Sequence, residues 1–241
     1  MQVNNHIARF ADALFPAHCC LCQWPCPGSL PLCVDCRAEL VRNPTCCVRC
    51  ALPLVTGNAL CGQCLAHPPA FDKVVAPLLY SEYLAFMLGR WKFKGDQSLT
   101  PLMADLWLQE AGISKQPDVL VPVPLHWFRR WRRGYNQAEL LARWLAPAFA
   151  GLQVNTQLLR RAHATTAQSG MNAHQRARNM RDAFTVSGSC DNLRVALVDD
   201  VLTTGATAGE AALALRQAGA VRVDIWCLAR TPPPSIAVLS K

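Results

Sequence analysis

The sequence predicts an α/β protein in which an open parallel sheet, covered by helices, is preceded by a small cysteine-rich module. The first sign is a compositional boundary, because eleven of the 13 cysteines precede residue 65. The second is that strand-like apolar runs alternate with helical patterns after that point, which is typical of parallel sheets covered on both faces. A chain of 241 residues that is 51% hydrophobic is long enough for one core of ordinary size and a smaller module.

Four apolar runs predict strands, and the segments around them predict four helices. The strands are expected at 74–80, 119–123, 195–198 and 221–228, and the helices at 82–91, 98–111, 137–149 and 207–218. A short amphipathic helix is expected at 6–15. Residues 65–69 contain two prolines after the last paired cysteine, so we place the domain boundary near residues 65–72. The predicted domains are therefore 1–66 and 70–241.

The formal charge of +8 is concentrated in one part of the chain. Between residues 122 and 181 there are ten arginines and a single acid, Glu139. A solvated basic face is one interpretation, but clustering on this scale favours a partner that carries phosphates. The amino-terminal stretch has no secretory-signal pattern, and no apolar run approaches the roughly 18 residues that cross a bilayer. We therefore expect a soluble, cytoplasmic protein with no membrane insertion.

The cysteines form C-x-x-C pairs whose spacing is typical of zinc sites. Disulfides are disfavoured in a reducing cytosol, so these thiols need another explanation. Two pairs separated by ten residues, and the same arrangement repeated once, fit two four-thiolate sites with the tetrahedral shell of structural zinc. The predicted ligands are Cys19, Cys22, Cys33 and Cys36 for one ion, and Cys47, Cys50, Cys61 and Cys64 for the other.

The cysteine pairing stays open at this point. Cys20, Cys26 and Cys46 lie beside the pairs and are alternative ligands, and cross-braced pairing between the two sets is also compatible with the spacing. Closed four-cysteine sites leave no open coordination position, so the expected role of the metal is structural. A segment this short buries too little apolar area to fold without metal.

Residues 195–207, VALVDDVLTTGAT, combine a buried strand with a candidate phosphate-binding turn. The strand is expected to end in Asp199 and Asp200, at the carboxyl edge of the sheet, where open α/β sheets bind ligands. The segment TTGAT at 203–207 offers hydroxyls and backbone N–H groups at the positive end of the next helix. Thr207 also matches a T-x-x-E capping box, which explains that threonine but not the acids before it.

The thirteen residues resemble the fingerprint with which type I phosphoribosyltransferases bind 5-phosphoribosyl 1-pyrophosphate (PRPP). The match departs at Ala206, where many members have glycine, and the methyl group is tolerated only if that backbone keeps a negative φ. The resemblance implies that Asp199 and Asp200 hold the ribose hydroxyls and serve any catalysis, and that Mg²⁺ accompanies PRPP. It also implies a set of residues that cradle the 5′-phosphate: Thr203, Thr204, Gly205, Ala206 and Thr207.

Further motifs extend the likeness to nearly the whole chain. With the KFKGD element at 92–96, RRGYNQ at 132–137, R-x(14)-R-x-x-N at 161–179 and the cysteine pairs, the chain resembles the ComF family of competence-related proteins. The same pattern includes Thr165, Gln168 and Phe184. The resemblance implies a double zinc-ribbon module followed by a type I phosphoribosyltransferase-like domain. It further implies that the turn after VPVP faces the fingerprint and receives pyrophosphate through Arg129, Arg130, Arg132 and Arg133.

The four arginines alternate with aromatic residues, which is also the chemistry of single-stranded nucleic acid binding. Guanidinium groups would bind the backbone while Trp127, Phe128, Trp131 and Tyr135 stack on bases. Alternatively, Trp127 and Trp131 lie four residues apart and form an ordinary helix face packed inward. ComF proteins are associated with handling incoming single-stranded DNA during natural transformation. The resemblance therefore implies single-stranded DNA, and proteins of the DNA-uptake machinery, as partners.

Two functions are compatible with these features. In one, the chain is a binding module in which PRPP or a related phosphoribosyl ligand occupies the pocket and a basic surface engages DNA. In the other, it is an active phosphoribosyltransferase, although no segment of the sequence marks an acceptor site. We favour the binding module. Cys190 and Cys227 are expected to be buried small side chains, because nothing basic flanks them, and His126 is expected to be packed.

Overall fold

The computed structural model describes residues 17–26, 28–57, 59–161 and 183–233. The helix expected at 6–15 lies outside these residues. So do Thr165, Gln168, Arg176 and Asn179 of the family pattern.

The described residues form ten strands and seven α-helices. The strands are β1 (Ala17–His18), β2 (Pro25–Cys26), β3 (Lys73–Val75), β4 (Leu78–Leu79), β5 (Val119–Pro122), β6 (Gln153–Val154), β7 (Leu159–Arg161), β8 (Phe184–Val186), β9 (Arg194–Leu202) and β10 (Arg222–Arg230). The helices are α1 (Val34–Ala38), α2 (Gly62–Ala66), α3 (Glu82–Phe93), α4 (Thr100–Glu110), α5 (Trp127–Arg133), α6 (Gln137–Leu145) and α7 (Ala206–Gln217). Two 3₁₀ turns, Gln97–Leu99 and Ala146–Ala148, adjoin α4 and α6.

Six strands form the central sheet, in which every pairing is parallel. The order is β3-β10-β9-β5-β6, and β4 continues the edge by pairing with the end of β10. β9 and β10, the two longest strands, lie at the centre and are joined by α7. Separate antiparallel pairs are formed by β1 with β2 and by β7 with β8. The predicted fold class, a parallel α/β sheet with an amino-terminal cysteine module, is confirmed.

The two faces of the sheet carry separate cores. Along β9, Ala196 and Val198 join one core while Val195 and Leu197 join the other, because successive strand side chains point to opposite faces. Residues of α3, α4 and α6 cover the first face, and residues of α7 cover the second. The carboxyl ends of β5, β9 and β10 are left at one edge between these layers, which is where a ligand site is expected.

Three details differ from the sequence-based expectation. The run at 74–80 is split into β3 and β4 at Ala76 and Pro77, because proline has no N–H to donate to a ladder. β9 does not end before the acids but continues to Leu202, so Asp199 and Asp200 lie within the strand. The arginine-rich segment expected as a turn forms the helix α5.

The cysteine module lies along the open edge of the sheet. Residues 41–49 run beside β3 and β4: Leu79 donates its N–H to the carbonyl of Val41, and Val74 donates to the carbonyl of Arg49, both at 2.8 Å. This covers an edge whose backbone groups would otherwise be exposed. Since cysteines of the module take part in both cores, the boundary between 66 and 70 stays a prediction.

The helices were compared with the length and hydrophobicity that a membrane-spanning helix requires. None of those formed by the described residues is both long enough and apolar enough to span a bilayer.

Candidate functional site

The eight predicted zinc ligands form two groups. Within each group the four Sγ atoms lie within 4.8 Å of one another. The Sγ atoms of Cys22 and Cys33 are 3.7 Å apart, and those of Cys50 and Cys61 are 3.6 Å apart. With Zn–S bonds of about 2.3 Å, the edge of a tetrahedral thiolate shell is about 3.8 Å, so both groups fit a structural zinc ion. We call them the first cysteine site (Cys19, Cys22, Cys33 and Cys36) and the second cysteine site (Cys47, Cys50, Cys61 and Cys64).

Backbone hydrogen bonds favour the thiolate at the first cysteine of each site. Burial alone would raise the pKa of Cys19, but backbone N–H groups, including that of Cys22, lower it to about 6. The same balance, with N–H groups including that of Cys50, lowers the pKa of Cys47 to about 6. Because the thiolate is the form that binds zinc, these hydrogen bonds favour the metal-binding form of Cys19 and of Cys47.

The structure groups sequential pairs rather than cross-braced ones. Of the three neighbouring cysteines, Cys20 is buried and Cys26 donates from Sγ to the carbonyl of Ala17 at 3.3 Å. Cys46 forms a short β-bridge with Pro53. Among the described residues, none of these three thiols belongs to the first or the second cysteine site.

The predicted ligand residues meet in a cleft at the carboxyl edge of the sheet. This main cleft has a volume of about 910 Å³. Residues of the fingerprint form one wall, and residues that follow β5 form the opposite wall. From the predicted set, the lining residues are Asp199, Asp200, Thr203, Thr207, Arg129 and Arg133, and the cleft is also lined by Lys92, Arg161 and His126. Fingerprint and arginines therefore lie on facing sides of one cleft.

The two acids point to opposite faces of the sheet, because they are neighbours in one strand. Asp200 points toward α3, where its Oδ1 is 2.8 Å from Nζ of Lys92, and both side chains are 16% exposed. Asp199 lies on the other side, and its Oδ1 accepts a hydrogen bond from the N–H of Asp200 at 2.8 Å. Lys92 lies in the KFKGD element, but nothing in the sequence indicates that it pairs with Asp200.

Asp199 binds its proton unusually tightly. Burial, followed by the charge of Asp200, raises its pKa to about 7, although the N–H of Asp200 and the cations Lys92 and Arg129 act in the opposite direction. A carboxyl with such a pKa in a cleft has the properties of a functional group.

Residues 203–207, which we call the phosphate turn, connect β9 to α7. Gly205 has φ +84° and is the N-cap of α7, so a side chain at this position would be strained. Ala206 is the first helical residue and is not among the described residues with positive φ, as the fingerprint requires. Thr207 lies inside the helix rather than at its N-cap, so the capping-box alternative is wrong. In the first turn of α7 the N–H of Ala206 donates to Oγ1 of Thr204 at 3.3 Å, whereas helix geometry gives the N–H groups of Thr207 and Ala208 no partner within the helix.

The arginines of α5 do not act as one group. Arg129 and Arg133 line the main cleft, Arg132 lines an adjoining cleft together with them, and Arg130 lines neither. No residue of α5 is buried. Trp127 is 62% exposed and Trp131 is 80% exposed, so the alternative of an inward-packed helix face is wrong.

A buried arginine that the sequence did not single out connects the second cysteine site to the phosphate turn. Arg230, the last residue of β10, is 5% exposed. Its Nε donates to the carbonyl of Cys50 at 3.1 Å. Its Nη1 donates to the carbonyls of Leu202 and Thr231 at 3.0 Å, and also contacts the carbonyl of Thr203. The turn that would hold a phosphate is thus anchored on the backbone of a zinc ligand.

The remaining single residues have structural environments. Cys190 and Cys227 are fully buried, and burial raises the pKa of both thiols, which agrees with the expectation of unreactive side chains. His126 accepts a hydrogen bond at Nδ1 from the N–H of Phe128 at 3.3 Å and thereby caps α5.

Solved structures of phosphoribosyltransferases have a distant likeness to part of the chain. The glutamine PRPP amidotransferase of B. subtilis is 20% identical, covering 55% of this chain and 26% of its own, with a TM-score of 0.37. The adenine phosphoribosyltransferase of Leishmania tarentolae is 17% identical, covering 58% of this chain and 74% of its own, with a TM-score of 0.35. Likeness at this level says nothing about activity.

Sequence comparisons are more specific. A family model described as a double zinc ribbon domain matches residues 10–65. The DNA utilization protein YhgH of Salmonella typhimurium is 34% identical over 223 residues, covering 90% of this chain and 98% of the relative. Competence protein F of Haemophilus influenzae is 36% identical over 209 residues, covering 83% of this chain and 90% of the relative. Since the similarity spans nearly the full length of these relatives, the chain belongs to the ComF family, with a double zinc ribbon before a parallel α/β sheet.

Proposed function

We propose that this protein is a competence-related, cytoplasmic module that binds PRPP or a related ribose 5-phosphate ligand in the main cleft and engages single-stranded DNA on α5. The observation that carries the proposal is the arrangement of the main cleft. Two carboxylates, a phosphate turn and two arginines, which were assigned separate roles from sequence, line the same cleft. Relatives named competence protein and DNA utilization protein support the biological context.

Each part of the main cleft suits one part of PRPP. The open N–H groups of α7 and the hydroxyls of Thr203 and Thr207 would bind the 5′-phosphate. Asp199 and Asp200 would accept hydrogen bonds from the ribose hydroxyls, and Arg129 and Arg133 would bind the pyrophosphate. Mg²⁺ would enter with the ligand, bound to its pyrophosphate and hydroxyls.

Binding of the ligand would require Asp200 to exchange its ion pair with Lys92 for hydrogen bonds from the ribose hydroxyls. The ammonium group of Lys92 holds Asp200 at 2.8 Å in the described structure, so the ribose hydroxyls would displace it from the carboxylate. The released ammonium group of Lys92 would stay beside Arg129 and Arg133, where it would form an ion pair with the negatively charged pyrophosphate.

Calorimetry with Mg-PRPP tests the pocket. The Asp200→Ala variant is expected to lose detectable binding, because both the ribose acceptor and the partner of Lys92 are removed. Asp118→Ala is the matched control, since Asp118 is an acid that pairs with Arg194 at the opposite, amino-terminal end of the strands. An unchanged affinity of Asp200→Ala for Mg-PRPP would contradict the proposal that the main cleft binds PRPP.

The outer side of α5 is the proposed DNA surface. Trp131 is exposed on it and lines neither cleft, whereas Trp127 is exposed but lines the main cleft. Arg130 carries no side-chain hydrogen bond or ion pair with any described residue. Exposed rings beside guanidinium groups suit bases and phosphates of a single strand.

Single-strand binding measured with an oligo-dT separates the two contributions. Trp131→Ala is expected to weaken binding by roughly 1–3 kcal/mol, the usual value of one stacked base. Trp144→Ala is the control, because Trp144 is 51% exposed but lies on α6. Arg130→Ala is expected to lower the slope of log K against log salt by about 0.7, as for one phosphate contact. Equal losses in the two tryptophan variants would remove α5 from the DNA surface.

Transferase activity is the second candidate, and the cleft that adjoins the main cleft favours it. An acceptor placed there would lie next to C1′ of a bound PRPP. Pyrophosphate release from PRPP in the presence of a panel of bases and amines distinguishes the two functions, because a binding module releases none. In a transferase, Asp199 and Asp200 would stabilise the positive charge that develops on the ribose ring.

A further inference from the structure

The cleft that adjoins the main cleft is formed where α5 faces α3. This side cleft has a volume of about 720 Å³, within the range of small-molecule sites. It shares Tyr80, Lys92, Phe128, Arg129 and Arg133 with the main cleft, so the two are continuous. A ligand in the side cleft would therefore touch one in the main cleft.

The side cleft carries unbalanced positive charge. Arg129, Arg132, Arg133 and Lys92 line it, and none of its described lining residues is acidic. Of these cations only Lys92 has an ion pair among the described residues. The pKa of Arg133 is lowered by burial and also by the neighbouring charges of Arg129 and Arg132, although Asp200 opposes this. Such a cluster is stabilised by an anion with several acceptor oxygens.

Aromatic rings form the other walls of the side cleft. Phe93 is 71% exposed and Phe128 is 49% exposed. The guanidinium of Arg133 lies 4.9 Å from the ring centroid of Phe93, so charge and ring are presented together. Exposed rings in a cleft offer a stacking surface for a planar group.

Gly89 keeps the space between these walls open. It lies within α3, where glycine costs about 1 kcal/mol relative to alanine. No atom lies within 4 Å of a Cβ built at this position, so neither packing nor backbone conformation requires a glycine. Ala85, one turn earlier, also lines the side cleft. The helix therefore gives up stability at a point where a larger side chain would fill the cleft.

We infer that the side cleft binds a nucleotide, with its base against the aromatic rings and its phosphate on Arg132. This inference rests on the proposed function for the identity of the neighbouring ligand, but its evidence comes from residues outside the fingerprint. The nucleotide is either a free nucleoside 5′-monophosphate or one residue of a DNA strand, since both present the same base and phosphate.

Calorimetry with dTMP on the full-length zinc-loaded protein tests the inference. Gly89→Leu is expected to weaken dTMP binding at least about tenfold while its melting temperature stays equal or rises, since leucine is the better helix former. Arg132→Ala is expected to weaken it by about tenfold through loss of a charge-assisted hydrogen bond. Arg143→Ala is the charge-matched control, because Arg143 lies on α6 and pairs with Glu139.

A 5′-phosphorylated (dT)10 strand identifies the source of the nucleotide. If Gly89→Leu weakens binding of the strand as much as binding of dTMP, the side cleft takes a residue of the strand. If only dTMP binding falls, it takes the free nucleotide. Absence of dTMP binding to the wild type, or equal dTMP affinity in the wild type and Gly89→Leu, would overturn the inference. Gly89→Leu is expected to bind Mg-PRPP with the affinity of the wild type. A wrong assignment of the side cleft can therefore be distinguished from a wrong assignment of the main cleft.

Discussion

The first and second cysteine sites have the same ligands and spacing but differ in burial and in what they hold. Cys22 of the first site is exposed, whereas all four ligands of the second are buried. Each site has an arginine on a nearby carbonyl. Arg90 donates to the carbonyl of Cys20 at 3.2 Å and pairs with Asp96, and its side chain is 29% exposed. Arg230, beside the second site, is almost fully buried and binds the phosphate turn as well.

The difference indicates that one repeated motif has taken two roles. The first site lies against the core that includes α4, and Arg37 beside it pairs with Asp105 of α4 at 2.6 Å. The second site belongs to the core shared with α7 and supports the turn that would bind phosphate. Zinc at the second site is thus expected to matter for ligand binding, and zinc at the first site mainly for stability.

The largest expected effect comes from removing one ligand of each site. Cys64→Ser is expected to lose one of about two zinc ions per chain, a free energy of unfolding on the order of 5 kcal/mol, and Mg-PRPP binding. Cys36→Ser is expected to lose one zinc ion as well but to keep the Mg-PRPP affinity of its folded fraction. Elemental analysis, thermal unfolding and calorimetry on both variants provide the comparison. Equal loss of affinity would contradict the division of roles.

A smaller effect is expected from the two arginines. Arg230→Met removes the Arg230 hydrogen bonds to the carbonyls of Cys50, Leu202 and Thr231, of which that of Leu202 still accepts from the N–H of Thr231. The variant is expected to lose on the order of 3 kcal/mol of unfolding free energy and to bind Mg-PRPP more weakly. Arg90→Met removes a partly exposed ion pair and one hydrogen bond to a carbonyl. It is therefore expected to lower the free energy of unfolding by about 1 kcal/mol and to leave the affinity for Mg-PRPP unchanged. Urea unfolding together with calorimetry measures both. If Arg230→Met binds Mg-PRPP with the affinity of the wild type, Arg230 stabilises the fold but has no role in ligand binding.

The sequence predicted the parts of this architecture that depend on local pattern. C-x-x-C spacing predicted both cysteine groups, and the alternation of apolar runs predicted the sheet. The partnership of Arg230 with Cys50 and that of Lys92 with Asp200 were not predictable, because each joins residues that only the tertiary fold brings together. The four-residue spacing of Trp127 and Trp131 offered a helix as one alternative for α5, but spacing alone does not tell whether such a face packs inward, and no residue of α5 is buried.

A pH dependence is expected at the end of β9, close to the turn that Arg230 holds. Burial and the charge of Asp200 raise the pKa of Asp199 to about 7. Between about pH 4 and pH 7 the folded protein thus keeps a proton on Asp199 that the unfolded chain has released. The contribution of Asp199 to the free energy of unfolding is therefore full below pH 4, falls through this window as pH rises, and is constant above it.

Asp199→Asn removes this titration while keeping the size of the side chain. We expect the free energy of unfolding of the wild type to fall relative to that of the variant between pH 5 and pH 7, and the difference to level off by pH 8. Urea unfolding of both proteins at each pH measures it, and zinc release from the cysteine sites cancels because both proteins contain them. A difference that stays constant across the range would mean that the end of β9 is more hydrated than its burial implies.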